Sequence, residues 1–245
     1  MRDSEQNPPQ IANILWNAKE ILQNDYRLSQ YRHVILPFVV LRRLDAVLTP
    51  KKTIILEESK QLGKKQRNLL QSRIKDRTGY GFYNISEYDL SSLAADPDFI
   101  HKNLKDYMDG FSENVQDIFR RFDFQTYVTK LKEQNLLCKV VKYFAEVPLD
   151  VKNVDNHKMG TIYEMLIQTS SKASNEEAGD HYAPREVIRL MVNLIFDNEE
   201  YVLSRPRVIK RLNDPAAGTG GMVSVAEEFI KERFPVENIH KYVYC

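Results

Sequence analysis

The chain has 245 residues, 42% of them hydrophobic, and a formal net charge of +1. That length suits one large domain or two smaller ones, and the composition is that of an ordinary globular chain. No apolar run approaches the ~18 residues of a membrane span, and the polar, proline-bearing start is no secretory signal.

Cys138 and Cys245 are too few for a disulfide framework, so a reducing cytoplasm is the expected location. The five histidines are scattered, with no zinc-ligand spacing to a cysteine, and no metal site is expected. Residues 11–24 place Ile11, Ile14, Leu15, Ala18 and Leu22 at helical spacing and read as one amphipathic helix. Residues 28–48 form a second helical pattern with Pro37 inside it, where a kink or break is expected. Residues 54–75 read as a charged helix with Leu62, Leu69, Leu70 and Ile74 on one side.

Charge is uneven. Residues 51–77 hold nine basic side chains against three acidic ones, a net +6. Lys60, Lys64, Lys65, Arg67 and Arg73 in this stretch are candidate phosphate contacts. An ordinary solvated helix face is the commoner account of such a run.

Gly79 to Asn84 reads as an ordered loop or short extended piece, and helices resume at Asp96-Pro97-Asp98. Further helices are expected near 112–121, 124–131 and 134–145, closed by Val147-Pro148-Leu149-Asp150. That punctuation divides the chain into a helical N-terminal domain over 1–152 and a second domain over 153–245.

In the second part, residues 157–169 suit a helix with Ile162, Met165, Leu166 and Thr169 along one side. Residues 170–180 read as an exposed, mobile polar loop. Pro184 is well placed to start a helix whose core face is Val187, Ile188, Met191, Val192 and Ile195. Residues 207–213 are a strand candidate running into Asp214-Pro215-Ala216-Ala217-Gly218-Thr219-Gly220-Gly221. A helical stripe of Met222, Val225, Ala226, Phe229 and Ile230 follows, and 239–244 is a second strand candidate.

Strand, small-residue loop and helix open a nucleotide-binding α/β sheet. The glycines do not follow Gly-x-Gly-x-x-Gly, which argues against a nicotinamide-dependent oxidoreductase. Asp214 would repel a pyrophosphate and favour an ammonium group, as on the amino-acid head of S-adenosylmethionine. A helix cap or ordinary turn is the competing account of Asp214.

The Asp214 to Gly221 octapeptide resembles the signature of the N6-adenine DNA methyltransferase (M) subunits of type I restriction-modification systems. Gly179-Asp180-His181-Tyr182-Ala183-Pro184-Arg185 resembles that family's second cofactor motif, and Gly160-Thr161-Ile162-Tyr163-Glu164 its preceding helix. Residues 1–150 resemble the family's helical domain more loosely, through 31–36 and Leu41-Arg42-Arg43-Leu44.

The resemblance implies an α-helical N-terminal domain followed by the start of a Rossmann-like S-adenosylmethionine-dependent methyltransferase domain. It implies that Asp214, Pro215, Ala216, Ala217, Gly218, Thr219 and Gly220 hold the methionine end of the cofactor. Asp180, His181, Tyr182, Ala183, Pro184 and Arg185 would pack across it, with Ala183 lacking the family's usual threonine hydroxyl. The implied partners are a specificity (S) subunit, a restriction (R) subunit, a second M subunit and double-stranded DNA. A non-catalytic DNA-clamping or subunit-assembly module is the alternative reading.

The family's catalytic Asn-Pro-Pro-aromatic site does not follow Gly221, so no catalytic residue is assigned. Asn7-Pro8-Pro9-Gln10 is a decoy that lacks the aromatic and sits in an expected flexible terminus. Val243 and Cys245 stand near the family's expected glycine and glutamate. The expectation is a shortened or frame-disrupted chain that does not complete the chemistry alone.

Overall fold

The computed structural model describes residues 7–62, 67–173, 183, 185–197, 212–217, 220–233 and 243–244. The chain divides into two compact units, Met1–Ser174 and Asn175–Cys245.

In the first unit every described element is helical. Helix α1 spans Pro8–Trp16, and Asn7 caps it: its side chain accepts from the Gln10 amide at 3.1 Å while Gln10 Oε1 accepts from the Asn7 amide at 3.2 Å. Asn7-Pro8-Pro9 is thus a helix start, Pro8 occupying the first turn where no donor is needed. This corrects the flexible terminus expected there. The single helix expected over 11–24 is two, because the chain turns at Asn17-Ala18 before α2, Lys19–Leu22.

Helix α3, Leu28–Leu48, runs unbroken through Pro37, contrary to the expected break. Ile35, Leu36, Phe38 and Val39 are all buried, and packing on both sides of the proline holds the helix through one missing hydrogen bond. The charged stretch is a helical pair, α4 (Lys52–Leu62) and α5 (Arg67–Thr78). Leu70 and Ile74 are buried, but Leu69 is 46% exposed and leaves the expected stripe.

Residues 79–84 form an irregular loop, one of the two expected alternatives, and Asn84 makes an isolated antiparallel bridge to Phe111. Gly110 is required here: a Cβ would stand 2.5 Å from Asn84 Oδ1 and 2.8 Å from the Ser86 backbone nitrogen. Helix α6, Leu90–Ala94, was not legible as a hydrophobic period. It is a five-residue helix started by an Asp89–Ser92 capping box. Helices α7 (Ile100–Asp109), α8 (Glu113–Arg121), α9 (Phe124–Glu133) and α10 (Leu137–Ala145) follow close to expectation.

The core of the unit is a run of rings. Phe38 lies 5.0 Å from Phe124 and 5.4 Å from Phe144, and contacts continue through Phe119 and Phe111 to Tyr107. Helix α11, Asn156–Ala173, packs on α1 and α3, so it belongs to this unit. Ile162 and Leu166 are buried as expected, whereas Thr169 is exposed and its hydroxyl donates to the Met165 carbonyl. Ser170 and Ser171 are buried within α11, which corrects the exposed loop expected to begin there.

In the second unit, helix α12 (Arg185–Phe196) packs on α13 (Gly221–Arg233). Ile188, Val192, Phe196, Val225 and Ala226 form its core. Val187, Met191 and Ile195, expected to face inward, are 46%, 43% and 51% exposed. Strands β1 (Leu212–Asn213) and β2 (Val243–Tyr244) pair in parallel, Leu212 opposite Val243. The remainder of both expected strands, 207–211 and 239–242, lies outside the described residues.

Candidate functional site

Arg42-Arg43 sits on α3 and its role is visible in the geometry. Arg43 is 8% exposed and donates to the carbonyls of Leu149 at 2.6 Å and Val154 at 2.7 Å and to Asn156 Oδ1 at 2.9 Å. Arg42 Nε donates to the Val147 carbonyl at 2.8 Å, and its Nη1 pairs with Asp45 at 2.9 Å. The two guanidiniums thereby fasten the irregular segment 147–156, which enters α11, onto α3. Burial lowers the Arg43 pKa, opposed by the nearby Asp150 charge. Asp45 is buried and accepts from the Tyr107 hydroxyl at 2.8 Å and the Leu90 amide at 3.2 Å. Its desolvation raises its pKa, while the Tyr107 bond works the other way. These residues order the domain rather than react.

The basic candidates are distributed over the α4–α5 pair. Lys60 is exposed on α4. Arg73 is on α5, 3.5 Å from the buried carboxylate of Glu58, which also receives Arg77 at 2.5 Å. The hydrogen bond from Arg77 holds the Glu58 carboxyl below its ordinary range. Glu58 and Arg77 were not singled out from the sequence, where an acid inside a basic run looks like charge balance. Lys64 and Lys65 lie outside the described residues, as does the side chain of Arg67.

The cofactor candidates fall in the second unit. Asp214 follows β1 and Gly221 opens α13, so the turn between them sits at a strand end and a helix N-terminus. Asp214 is half-buried, and one of its carboxylate oxygens accepts from the Ala216 amide at 3.0 Å. That bond fixes the turn and leaves the second oxygen to meet a cation. Pro215 and Ala216 are exposed and Ala217 half-buried. Gly220 has φ +79, a conformation natural to glycine, with open space where a side chain would project. Carboxylate, small residues and open backbone suit an ammonium-bearing ligand without phosphate. Arg185 starts α12 and pairs with Glu228 of α13 at 3.3 Å. Ala183 is exposed. Asp180, His181, Tyr182, Pro184, Gly218 and Thr219 lie outside the described residues.

Among the described residues no group of His, Cys, Asp or Glu is arranged to hold a metal, and no helix is long and apolar enough to cross a membrane.

A helical first unit is followed by a second unit in which a small-residue turn joins a short strand to a helix. Residues 11–144 match the family described as HsdM N-terminal domain, and 154–244 match N-6 DNA Methylase. The chain belongs to the HsdM family of N6-adenine DNA methyltransferase subunits of type I restriction enzymes.

The EcoEI methylase subunit of Escherichia coli is 28% identical over 137 residues, 56% of this chain and 26% of that protein. The MjaIX methylase subunit of Methanocaldococcus jannaschii is 23% identical over 259 residues, 96% of this chain and 42% of that protein. The crystal structure of a type I restriction-modification methyltransferase subunit from Streptococcus thermophilus shares the fold at TM-score 0.56 and 15% identity, covering 97% of this chain and 58% of that one. The chain therefore spans between about a quarter and three-fifths of these relatives.

Proposed function

We propose that this chain supplies the helical front domain, 1–152, and the leading cofactor-binding segment, 153–245, of a type I methylation subunit that transfers a methyl group from S-adenosylmethionine to adenine N6 in DNA. The observation that carries this is the β1–turn–α13–β2 order, with Asp214 at the strand tip, inside the methylase match. That order supports reading the segment as the opening unit of a Rossmann-like sheet. Asp214 and residues 215–220 would hold the methionine end, and 180–185 would lie across it. When bound, S-adenosylmethionine supplies an electrophilic methyl on its sulfonium. The chain's own residues bind and orient that donor. The assembled enzyme is cytoplasmic and contains S and R subunits and a second M subunit on double-stranded DNA.

Calorimetric titration of the 245-residue chain tests this reading. S-adenosylmethionine should bind and NAD should not, and Asp214→Ala should weaken the former at least about tenfold, the cost of one charged hydrogen bond. Absence of binding, or an affinity unmoved by Asp214→Ala, refutes the cofactor assignment.

A second reading, a DNA-clamping or subunit-assembly role for the helical domain, rests on the basic α4–α5 pair, with Lys60, Lys64, Lys65, Arg67 and Arg73 as the candidate phosphate contacts. It is compatible with the first.

A further inference from the structure

The buried Glu58 carboxylate meets two arginines at once. Its side chain is 7% exposed, and its Oε2 has no hydrogen-bond partner, only the Arg73 guanidinium at 3.5 Å. That loose contact returns little of the cost of burying Oε2, while the short Arg77 bond holds the other oxygen. What the carboxylate does achieve is geometric. Arg73 and Arg77 stand one turn apart on the same face of α5, and each directs one terminal nitrogen onto the same carboxylate. Both arginine side chains remain 46% exposed. Among the described residues no other acceptor engages either guanidinium, so the remaining donors of each are not taken up by a described partner.

We propose that Glu58 positions Arg73 and Arg77 as a paired guanidinium fork that grips the phosphate backbone of double-stranded DNA. The proposal rests on the reading of α4–α5 as the DNA-facing surface and says which residues do the gripping. A guanidinium offers five donors in a plane that matches two phosphate oxygens, and holding two of them in fixed orientation removes the entropy of ordering long side chains at binding. Two arginines on one carboxylate leave a net positive charge. Exposed Lys60 and Lys75 add to the field and exposed Asp76 subtracts from it. Glu58 is a positioning residue. It would touch no phosphate.

The test is fluorescence anisotropy of a labelled random-sequence duplex with the 245-residue chain, from about 50 to about 200 mM salt. Arg73→Ala with Arg77→Ala should flatten the slope of log affinity against log salt by about 1.8, two phosphates at ~0.9 each, so that across this range it loses roughly tenfold less affinity than the unaltered chain. Arg73→Lys with Arg77→Lys keeps both charges and loses the planar fork; it should weaken binding several-fold at low salt. Glu58→Gln is the discriminating variant. It removes a negative charge, so charge alone requires tighter binding, whereas loss of the fork requires weaker binding.

Tighter binding by Glu58→Gln, or lysine variants equal to the unaltered chain, overturns the fork. If Lys64→Glu with Lys65→Glu abolishes binding while the arginine variants do nothing, the DNA-facing surface stands and the fork alone falls. If the unaltered chain binds no duplex at the lowest salt, both fall. Far-ultraviolet circular dichroism of each variant excludes misfolding, and the lysine pair, which retains the Glu58 ion contacts, keeps the test decisive should Glu58→Gln unfold.

Discussion

Arg43→Ala removes a buried cation from three acceptors at once, two carbonyls and an amide oxygen on the segment leading into α11. Hydrogen bonds to a charged group contribute ~1.5–3 kcal/mol each, and acceptors stranded in a buried place keep their desolvation cost. Residues 151–153 beside them are exposed, so water can reach part of the vacated space. The sum is therefore nearer the lower bound, about 4 kcal/mol. For a unit of this size that lowers the melting midpoint by about 10 °C. Trp16 is the only tryptophan and is buried in this unit, so its fluorescence in a urea titration follows this transition and not the second unit. Arg43→Lys keeps the charge but cannot diverge to three acceptors, and should lose about half as much. A local readout accompanies the global one: limited trypsin should cut after Lys152 faster in Arg43→Ala, because the segment is no longer held against α3. A stability loss under about 1 kcal/mol with unchanged cleavage would refute the account of Arg43 as the fastener.

Phe38→Ala should cost about 3–5 kcal/mol in the same urea titration, since the ring is fully buried between Phe124 and Phe144 and its removal leaves a cavity. Glu58 makes a pH-dependent contribution. Its folded pKa lies below the ordinary carboxylate value, because the charged form is bonded to Arg77, so the stability it confers is complete above the unfolded pKa and vanishes as pH falls through the folded one. The stability difference between the unaltered chain and Glu58→Gln should therefore shrink on acidification below the ordinary glutamate range, measured as urea midpoints across pH. A difference constant with pH would mean that the carboxylate charge is not what links the two helices.

The helices of the first unit were legible where apolar residues recur at i, i+3 and i+4, as in α3 and α7 to α10. Boundaries were legible only where a side chain marks them. Asn17-Ala18 carries no strong breaker, so α1 and α2 read as one helix. Pro37 carries the strongest, yet the helix continues, since tertiary burial of its neighbours outweighs one lost bond. Helix α6 is too short for a period to show and is visible only in its Asp89–Ser92 capping box. The turn after β1 was legible as a turn, from Asp214 and the small residues after it. The Glu58 fork was not, because it depends on α4 and α5 folding back on each other, which charge and period do not specify.

Helix α12 shows why the inward face was misassigned. Its sequence is apolar around most of its circumference, with Arg189, Asn193 and Glu186 as the polar interruption. Periodicity identifies a single face only when the rest of the helix is polar; a helix apolar nearly all round requires burial on two sides. The packed side is Ile188, Val192 and Phe196 against α13, and the other side exposes Leu190 at 60% and Leu194 at 67%. The first unit is different, for its helices bury their apolar faces against one another around Phe38. Among the described residues of the second unit, the packing nearest Asp214 comes from the α12–α13 pair, joined by the Arg185–Glu228 contact, and from the two short strands.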